Sequence, residues 1–259
     1  MTLTRSHGPL GTSPQPTVNY SIEGPPHRLL LDPFPRRVRG RLAGKTVVDT
    51  RRGGLLHESN ILPQLYVPWE DVREDLVEAS DHTTHCPFKG DAAYWHVRVG
   101  DRVAENAIWS YPEPVEATPW LDGLAAFYVD ALDEWLDEEE PVTGHLRDPY
   151  HRVDVRRSSA GVRVSAGEAV VAESSSPLVL SETGLPNRFY LPREDVPMDL
   201  LAPSDTRALC PYKGESSYFH VNGVEDAAWT YEEPLNDARR AAGHISFDGA
   251  GVEVTVLGD

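Results

Sequence analysis

Apolar residues in this chain fall into short β-prone runs separated by Gly, Pro and charged residues. "KTVVDT" from Lys45 and "EAVVAES" from Glu168 are such runs, bounded by glycine-containing turns. A Cys-Pro-aromatic-Lys-Gly segment begins at Cys86 and again at Cys210, each time a turn that feeds a strand. Alternation in that strand predicts two faces. Ala93, Trp95 and Val97 share the predicted core face, matched by Ser217, Phe219 and Val221; Tyr94 and His96 point the other way, matched by Tyr218 and His220. "PWEDVREDL" and "PREDVPMDL" each predict one or two helical turns, with Pro early and acids near the start. Asp130 is placed to cap a short acidic helix through "ALDEWLDEEE", whereas the chain's last run, "VEVTVL", reads as a strand.

These patterns occur twice. "CPFKGDAAYWHV" and "CPYKGESSYFHV" share seven of twelve positions at a separation of 124 residues. The register extends upstream, pairing Glu58 with Glu182, Tyr66 with Tyr190 and Asp71 with Asp195. Downstream, "WSYPEP" at Trp109 answers "WTYEEP" at Trp229, now 120 residues apart. The chain is therefore a tandem of two homologous domains, expected at 36–145 and 146–259. Residues 1–35, rich in Pro, Ser and Gly, are expected to be irregular, and a hinge is expected between Pro141 and Tyr150.

Composition narrows the function classes. The formal net charge of −17 argues against a nucleic-acid partner, since phosphate binding needs clustered Lys and Arg. The charge is uneven: Arg28, Arg36, Arg37, Arg39, Arg41, Lys45, Arg51 and Arg52 crowd one segment, while Asp130 to Glu140 is acidic. Two solvated faces that attract each other across the fold are the expectation. No run is apolar enough for a signal peptide or a membrane span. The two cysteines are copies of each other in separate domains, so no disulfide is expected and a reducing cytoplasm fits. No cofactor is expected.

The motifs resemble the family catalogued as domain of unknown function 427, sometimes labelled nucleotidyltransferase-like. Both copies carry its pattern, at Glu58, Tyr66, Asp71, Cys86, Lys89, Gly90, Tyr94, Trp109 and Tyr111, and at Glu182, Tyr190, Asp195, Cys210, Lys213, Gly214, Tyr218, Trp229 and Tyr231. The resemblance implies a mainly β, tent-like fold of two small antiparallel sheets per domain, with a pocket between them. Similar shapes occur in the ligand-binding domain of cereblon and in methionine-R-sulfoxide reductases, often with a zinc held by paired cysteines. This chain has one Cys per copy and no Cys-x-x-Cys, so that zinc is not expected.

The candidate chemistry differs between the copies. His82, His85 and Cys86 have soft-ligand spacing, but the second copy has no histidine there, so a metal site is not expected. Cys86 and Cys210 stand three residues before Lys89 and Lys213, a spacing that suits an activated thiol with His96 or His220 as base. Nucleotidyl transfer lacks its Gly-Ser turn and paired metal-binding carboxylates. There remains a polar aromatic set: Tyr66, Lys89, Tyr94, His96, Trp109 and Tyr111, with Tyr190, Lys213, Tyr218, His220, Trp229 and Tyr231. Aromatic faces with a few polar tips suit a small-molecule pocket, and the lysines would favour an anionic group. Three functions stay open: binding of a small molecule, an enzyme using Cys86 or Cys210 as nucleophile, and a structural or interaction protein.

Overall fold

Because the apolar runs are short and alternate, strand follows strand, joined by tight turns. The computed structural model describes residues 23–258 together with Thr4, Leu10, Gly11, Thr17 and Asn19. The chain divides into two units, Met1–Asp148 and Pro149–Asp259. The first contains β1 (Leu29–Pro33), β2 (Val38–Leu42), β3 (Lys45–Thr50), β4 (Gly54–Glu58), β5 (Gln64–Pro68), β6 (Val77–Cys86), β7 (Gly90–Val99), β8 (Arg102–Pro114), β9 (Leu124–Phe127), β10 (Glu134–Asp137) and β11 (Glu140–Pro141). The second contains β12 (Val153–Arg157), β13 (Gly161–Ala166), β14 (Ala169–Ser174), β15 (Leu178–Glu182), β16 (Arg188–Leu191), β17 (Leu201–Cys210), β18 (Gly214–Val221), β19 (Val224–Thr230), β20 (Ile245–Phe247) and β21 (Val252–Leu257).

Each unit has two antiparallel sheets. A seven-stranded sheet runs β1-β4-β5-β9-β8-β7-β6 in the first unit and β12-β15-β16-β20-β19-β18-β17 in the second. A smaller sheet runs β11-β10-β2-β3 in the first and β14-β13-β21 in the second. Strand for strand the orders correspond, with β11 the one addition. The helical turns expected after "YVP" and "YLP" are present as short 3-10 segments at Trp69–Asp71, Glu74–Leu76, Arg193–Asp195 and Met198–Leu200. Among the described residues no helix is long and apolar enough to cross a membrane.

Alternation divides each large sheet into two buried faces. In the first unit Leu55, Val67, Val97, Ile108 and Phe127 meet Val38, Leu42, Val47 and Val48 of the small sheet, with Trp95 packed alongside. Fully burying such a side chain contributes about 1.5–3 kcal/mol. The intervening residues Leu56, Tyr66, Tyr94, Tyr111 and Ala126 form a separate cluster on the opposite face, roofed by Leu121 of the 3-10 segment Pro119–Leu121. The second unit repeats this division. Val162, Val164, Leu191, Val221 and Ile245 lie between its sheets, while Leu180, Tyr190, Tyr212 and Tyr231 lie on the far face under Ala238 and Ala241. The aromatic set therefore sits on the face turned away from the small sheet, not between the sheets.

Two expectations need correction. Residues 29–33, within the segment read as irregular, form β1 and pair with β4; most of residues 1–22 lies outside the described residues. "ALDEWLDEEE" is not a helix: after one 3-10 turn at Val129–Ala131 it becomes β10 and β11. The physical reason is a fit of volume and of charge. Trp135 lies opposite Gly40, where a Cβ would come within 3.0 Å of the indole and 2.8 Å of Leu132. In the second unit the equivalent register pairs Val164 with Val254, a medium–medium solution in place of small–large. The same pairing brings the basic and acidic segments together, as their charges suggested. Arg36 bonds Asp137 at 2.6 Å, Arg39 pairs with Glu139 at 2.9 Å, and Arg41 with Glu134 at 3.0 Å.

Candidate functional site

The Cys-Pro-aromatic-Lys-Gly turn sets the geometry. Lys89 N–H closes the turn on the Cys86 carbonyl at 3.2 Å, and the Lys89 carbonyl accepts from Val115 N–H at 3.1 Å. Gly90 follows at φ +108°, and a Cβ there would meet the Glu113 carbonyl oxygen at 3.0 Å. Only glycine suits that conformation and that close approach. Gly214 (φ +100°) repeats it against Glu233, and the Lys213 carbonyl accepts from Leu235 N–H at 3.0 Å. The motif thus locks the β6–β7 turn onto the loop after β8 and aims the lysine across the sheet.

Each lysine reaches a carboxylate at the end of the strand paired with the first strand of its unit. Lys89 Nζ donates to Glu58 Oε2, and Lys213 Nζ donates to Glu182 Oε2. The other carboxylate oxygen accepts from a histidine: His27 Nε2 lies 2.8 Å from Glu58 Oε1, and His151 Nε2 lies 3.0 Å from Glu182 Oε1. An ionised carboxylate only accepts, so each histidine donates from Nε2. The histidines are held by their neighbours. Arg28 N–H bonds Ser59 Oγ at 2.9 Å, and Arg152 N–H bonds Thr183 Oγ1 at 2.8 Å. The motif aromatic packs on the imidazole, Phe88 stacked on His27 at 3.7 Å between centroids and Tyr212 tilted against His151 at 4.0 Å.

Glu58, Lys89 and Glu182 are buried or nearly so. Burial pushes the Glu182 carboxyl up, but His151 and Lys213 overcome it and hold the group at about 2. The carboxylate is therefore ionised throughout the neutral range. Burial also pushes the Tyr66, Tyr111, Tyr190 and Tyr231 hydroxyls well above the ordinary phenol value, so these groups act as neutral hydrogen-bonding tips.

Most of the predicted aromatic set gathers beside each triad. Trp109 Nε1 donates to Tyr66 OH at 3.3 Å, and Trp229 Nε1 to Tyr190 OH at 3.0 Å. Lys89 Nζ lies 5.9 Å from the Tyr111 ring centre. Tyr94 OH shares a hydrogen with Thr84 Oγ1 at 3.0 Å. Tyr218 packs 6.2 Å from Trp229, and Tyr231 packs 6.4 Å from Tyr190. Cys86 and Cys210 are half-buried free thiols packed on these clusters.

His96 and His220 serve elsewhere. Each accepts a backbone N–H at a β-bulge, His96 Nδ1 from Asn106 at 2.9 Å and His220 Nδ1 from Asp226 at 3.1 Å. Asn106 and Asp226 both have φ near +50°, so these histidines cap a strained bend in the sheet. The soft-ligand trio also separates: His85 bonds Asp91 at 2.6 Å, His82 packs 4.5 Å from Tyr94, and Cys86 turns to the aromatic cluster. Among the described residues no group of three or more His, Cys, Asp or Glu side chains could hold a metal ion.

The two copies differ at the rim. In the first, Tyr128 covers Trp109 at 4.7 Å. In the second, Arg188 lies 5.8 Å over Trp229 and pairs with Asp248 at 2.7 Å.

A family model described as Domain of unknown function (DUF427) matches residues 30–138 and again residues 154–258. This chain belongs to the DUF427 family. Both DUF427 domains include the carboxylate, lysine and aromatic residues of the site, while His27 and His151 lie just ahead of the matched segments. Among curated proteins no relative matches the chain. The two histidines are the residues that sequence reasoning missed. Their separation is the same 124 residues as the repeat up to the Cys-Pro-aromatic-Lys-Gly turn, a signal obscured because His27 stands in the Pro-rich N-terminal segment.

Proposed function

We propose that this tandem DUF427 protein binds a small molecule at each His–Glu–Lys triad and its aromatic flank. The observation that carries this is the triad itself, present twice with the same atoms in contact. A buried ionic cluster is a poor stabiliser, because desolvation offsets most of the attraction. A fold needing only stability would be served as well by apolar residues. Neutral tyrosine tips, a stacked ring and a fixed carboxylate suit recognition of a polar, planar molecule. In the second unit an open cavity of about 240 Å³ lies against Glu182, Thr183, Ser181, Arg152 and Asp154, which supplies room beside the triad.

The ligand is neutral or zwitterionic. Each lysine is already matched by a carboxylate, so the reason for expecting an anion falls away. Native mass spectrometry of protein taken gently from cells is expected to show a discrete adduct, identified after denaturation. The ¹⁵N-indole resonances of Trp109 and Trp229, both bonded to tyrosines of the clusters, then report binding of the identified compound. Glu58→Gln and Glu182→Gln are expected to abolish these responses one copy at a time. A ligand whose affinity ignores both substitutions would defeat the assignment.

A further inference from the structure

The first unit carries a second concavity, on the opposite side of its large sheet from the triad. It has a volume of about 250 Å³ and opens where the two sheets diverge. Phe127 and Trp135 line it from the inter-sheet core, and Leu146 lines it from the segment after β11. Ile61 and Leu62 line it too, 50% and 45% exposed, so large aliphatic side chains stand in water beside an apolar hollow. An apolar cavity of roughly 150 Å³ is already enough to take benzene and stays dry when empty.

No carboxylate, ammonium or guanidinium lines the cavity, so it excludes charge. Its polar residues are Gln64 and His145. The Gln64 amide nitrogen donates to the Leu65 and Phe127 carbonyls, both at 3.2 Å, and Gln64 stands opposite Leu56 of the triad-side cluster, so its side chain belongs to that side of the sheet. His145 Nδ1 is tied to the Leu146 carbonyl at 2.7 Å. The second unit has different chemistry at the equivalent places. Gln64 becomes Arg188, bound to Asp248, while Val129 becomes Gly249 and Trp135 becomes Val254.

We propose that this cavity is a separate ligand site, present in the first unit alone, for a neutral and mainly apolar molecule of one or two rings. Size sets the ring count, and the apolar walls set the neutrality. It is independent of the triad reading, since the two sites lie on opposite faces of the sheet.

The test is a titration of ¹⁵N-tryptophan-labelled protein with 2-naphthol. Trp135 Nε1–H donates to the carbonyl of Val129, itself a lining residue, at 2.9 Å, so the Trp135 indole resonance reports occupancy. A saturable shift of Trp135, with Trp109 and Trp229 unmoved, is expected. Val142→Phe or Leu146→Phe, whichever keeps the wild-type spectrum, fills the hollow and is expected to weaken binding at least tenfold. 2-Naphthoate, which carries a charge, is expected to bind at least tenfold more weakly than 2-naphthol. No shift at Trp135, equal movement of Trp109 and Trp229, or indifference to filling would overturn the site. Equal binding of 2-naphthoate would overturn the exclusion of charge.

Discussion

Lys213→Met removes one partner of a buried carboxylate and leaves the other in place. The wild-type Glu182 carboxyl is held at about 2, against an ordinary value of 4.5. At about 1.4 kcal/mol for each factor of ten in affinity for the proton, that difference corresponds to roughly 3 kcal/mol. Burial opposes it, so the partners supply more than the net. Without Lys213 the charge keeps only His151, and a broken buried pair typically costs about 3–5 kcal/mol. We expect Lys213→Met to destabilise the second unit by about 3 kcal/mol at neutral pH, and Glu182→Gln/Lys213→Met to recover part of that loss.

Urea unfolding followed through the ¹⁵N-indole resonance of Trp229 isolates the relevant unit, because Trp229 is the one tryptophan between residues 149 and 259. The sign with pH is fixed by the direction of the shift. A depressed carboxyl contributes fully above its unfolded value near 4.5, and the contribution fades as pH falls toward about 2. In Lys213→Met the carboxyl is buried with too little compensation, its affinity for the proton rises, and protonation relieves the penalty. The gap between wild type and variant is therefore widest at pH 7 and narrows by about pH 3. A cost below about 1 kcal/mol, or one independent of pH, would refute the claim that the triad is an electrostatic unit.

Replacing the second triad with apolar groups, as His151→Phe/Glu182→Leu/Lys213→Met, is expected to leave urea stability within about 1–2 kcal/mol of wild type while ligand binding in that copy is lost. Gly40→Val is expected to lower the melting transition of the first unit, since overpacking costs about 1–3 kcal/mol; adding Trp135→Val, the second copy's pairing, should restore most of it. In an alkaline titration read at the phenolate absorbance band, Tyr66, Tyr111, Tyr190 and Tyr231 are expected to ionise only as far-ultraviolet dichroism collapses, well above the ordinary phenol value. Asp137→Asn breaks the Arg36 pair at a half-exposed edge, and is expected to cost under about 1 kcal/mol in urea melts, less in high salt.

The internal repeat made most of the fold legible. Period-two alternation assigned Trp95 and Val97 to one buried face and Tyr94 to the other, as observed. What alternation cannot reveal is which face meets a second sheet. Tyr66 and Val67 are equally buried, and only the pairing of β10 with β2 decides that Val67 belongs between the sheets. The acidic stretch misled for a related reason: its helix-favouring acids are local, whereas the cavity beside Gly40 that seats Trp135 is nearly 100 residues away. The sequence points to His96 as a base near Cys86 and leaves His27 obscured in the Pro-rich N-terminal segment. Antiparallel pairing of β1 with β4 instead delivers His27 to Glu58.

What the two copies have changed bears on what they have kept. Core volume was exchanged in a compensated pair, Gly40 with Trp135 for Val164 with Val254, and the rim exchanged Gln64 and Tyr128 for Arg188 and Asp248. Both exchanges proceed through tolerable intermediates, because a small cavity or a surface charge costs little. The triad offers no such path: losing one member strands a buried charge, so it changes all at once or not at all. Persistence of the triad in both copies could then reflect that barrier alone, without any ligand. The aromatic flank separates the two explanations. Tyr66, Trp109 and Tyr111 carry no charge to strand, yet Tyr190, Trp229 and Tyr231 stand in the same places. A barrier to losing charge explains the carboxylate and the lysine; it does not explain why the neutral tips around them stayed. The ligand recognition we propose would account for both.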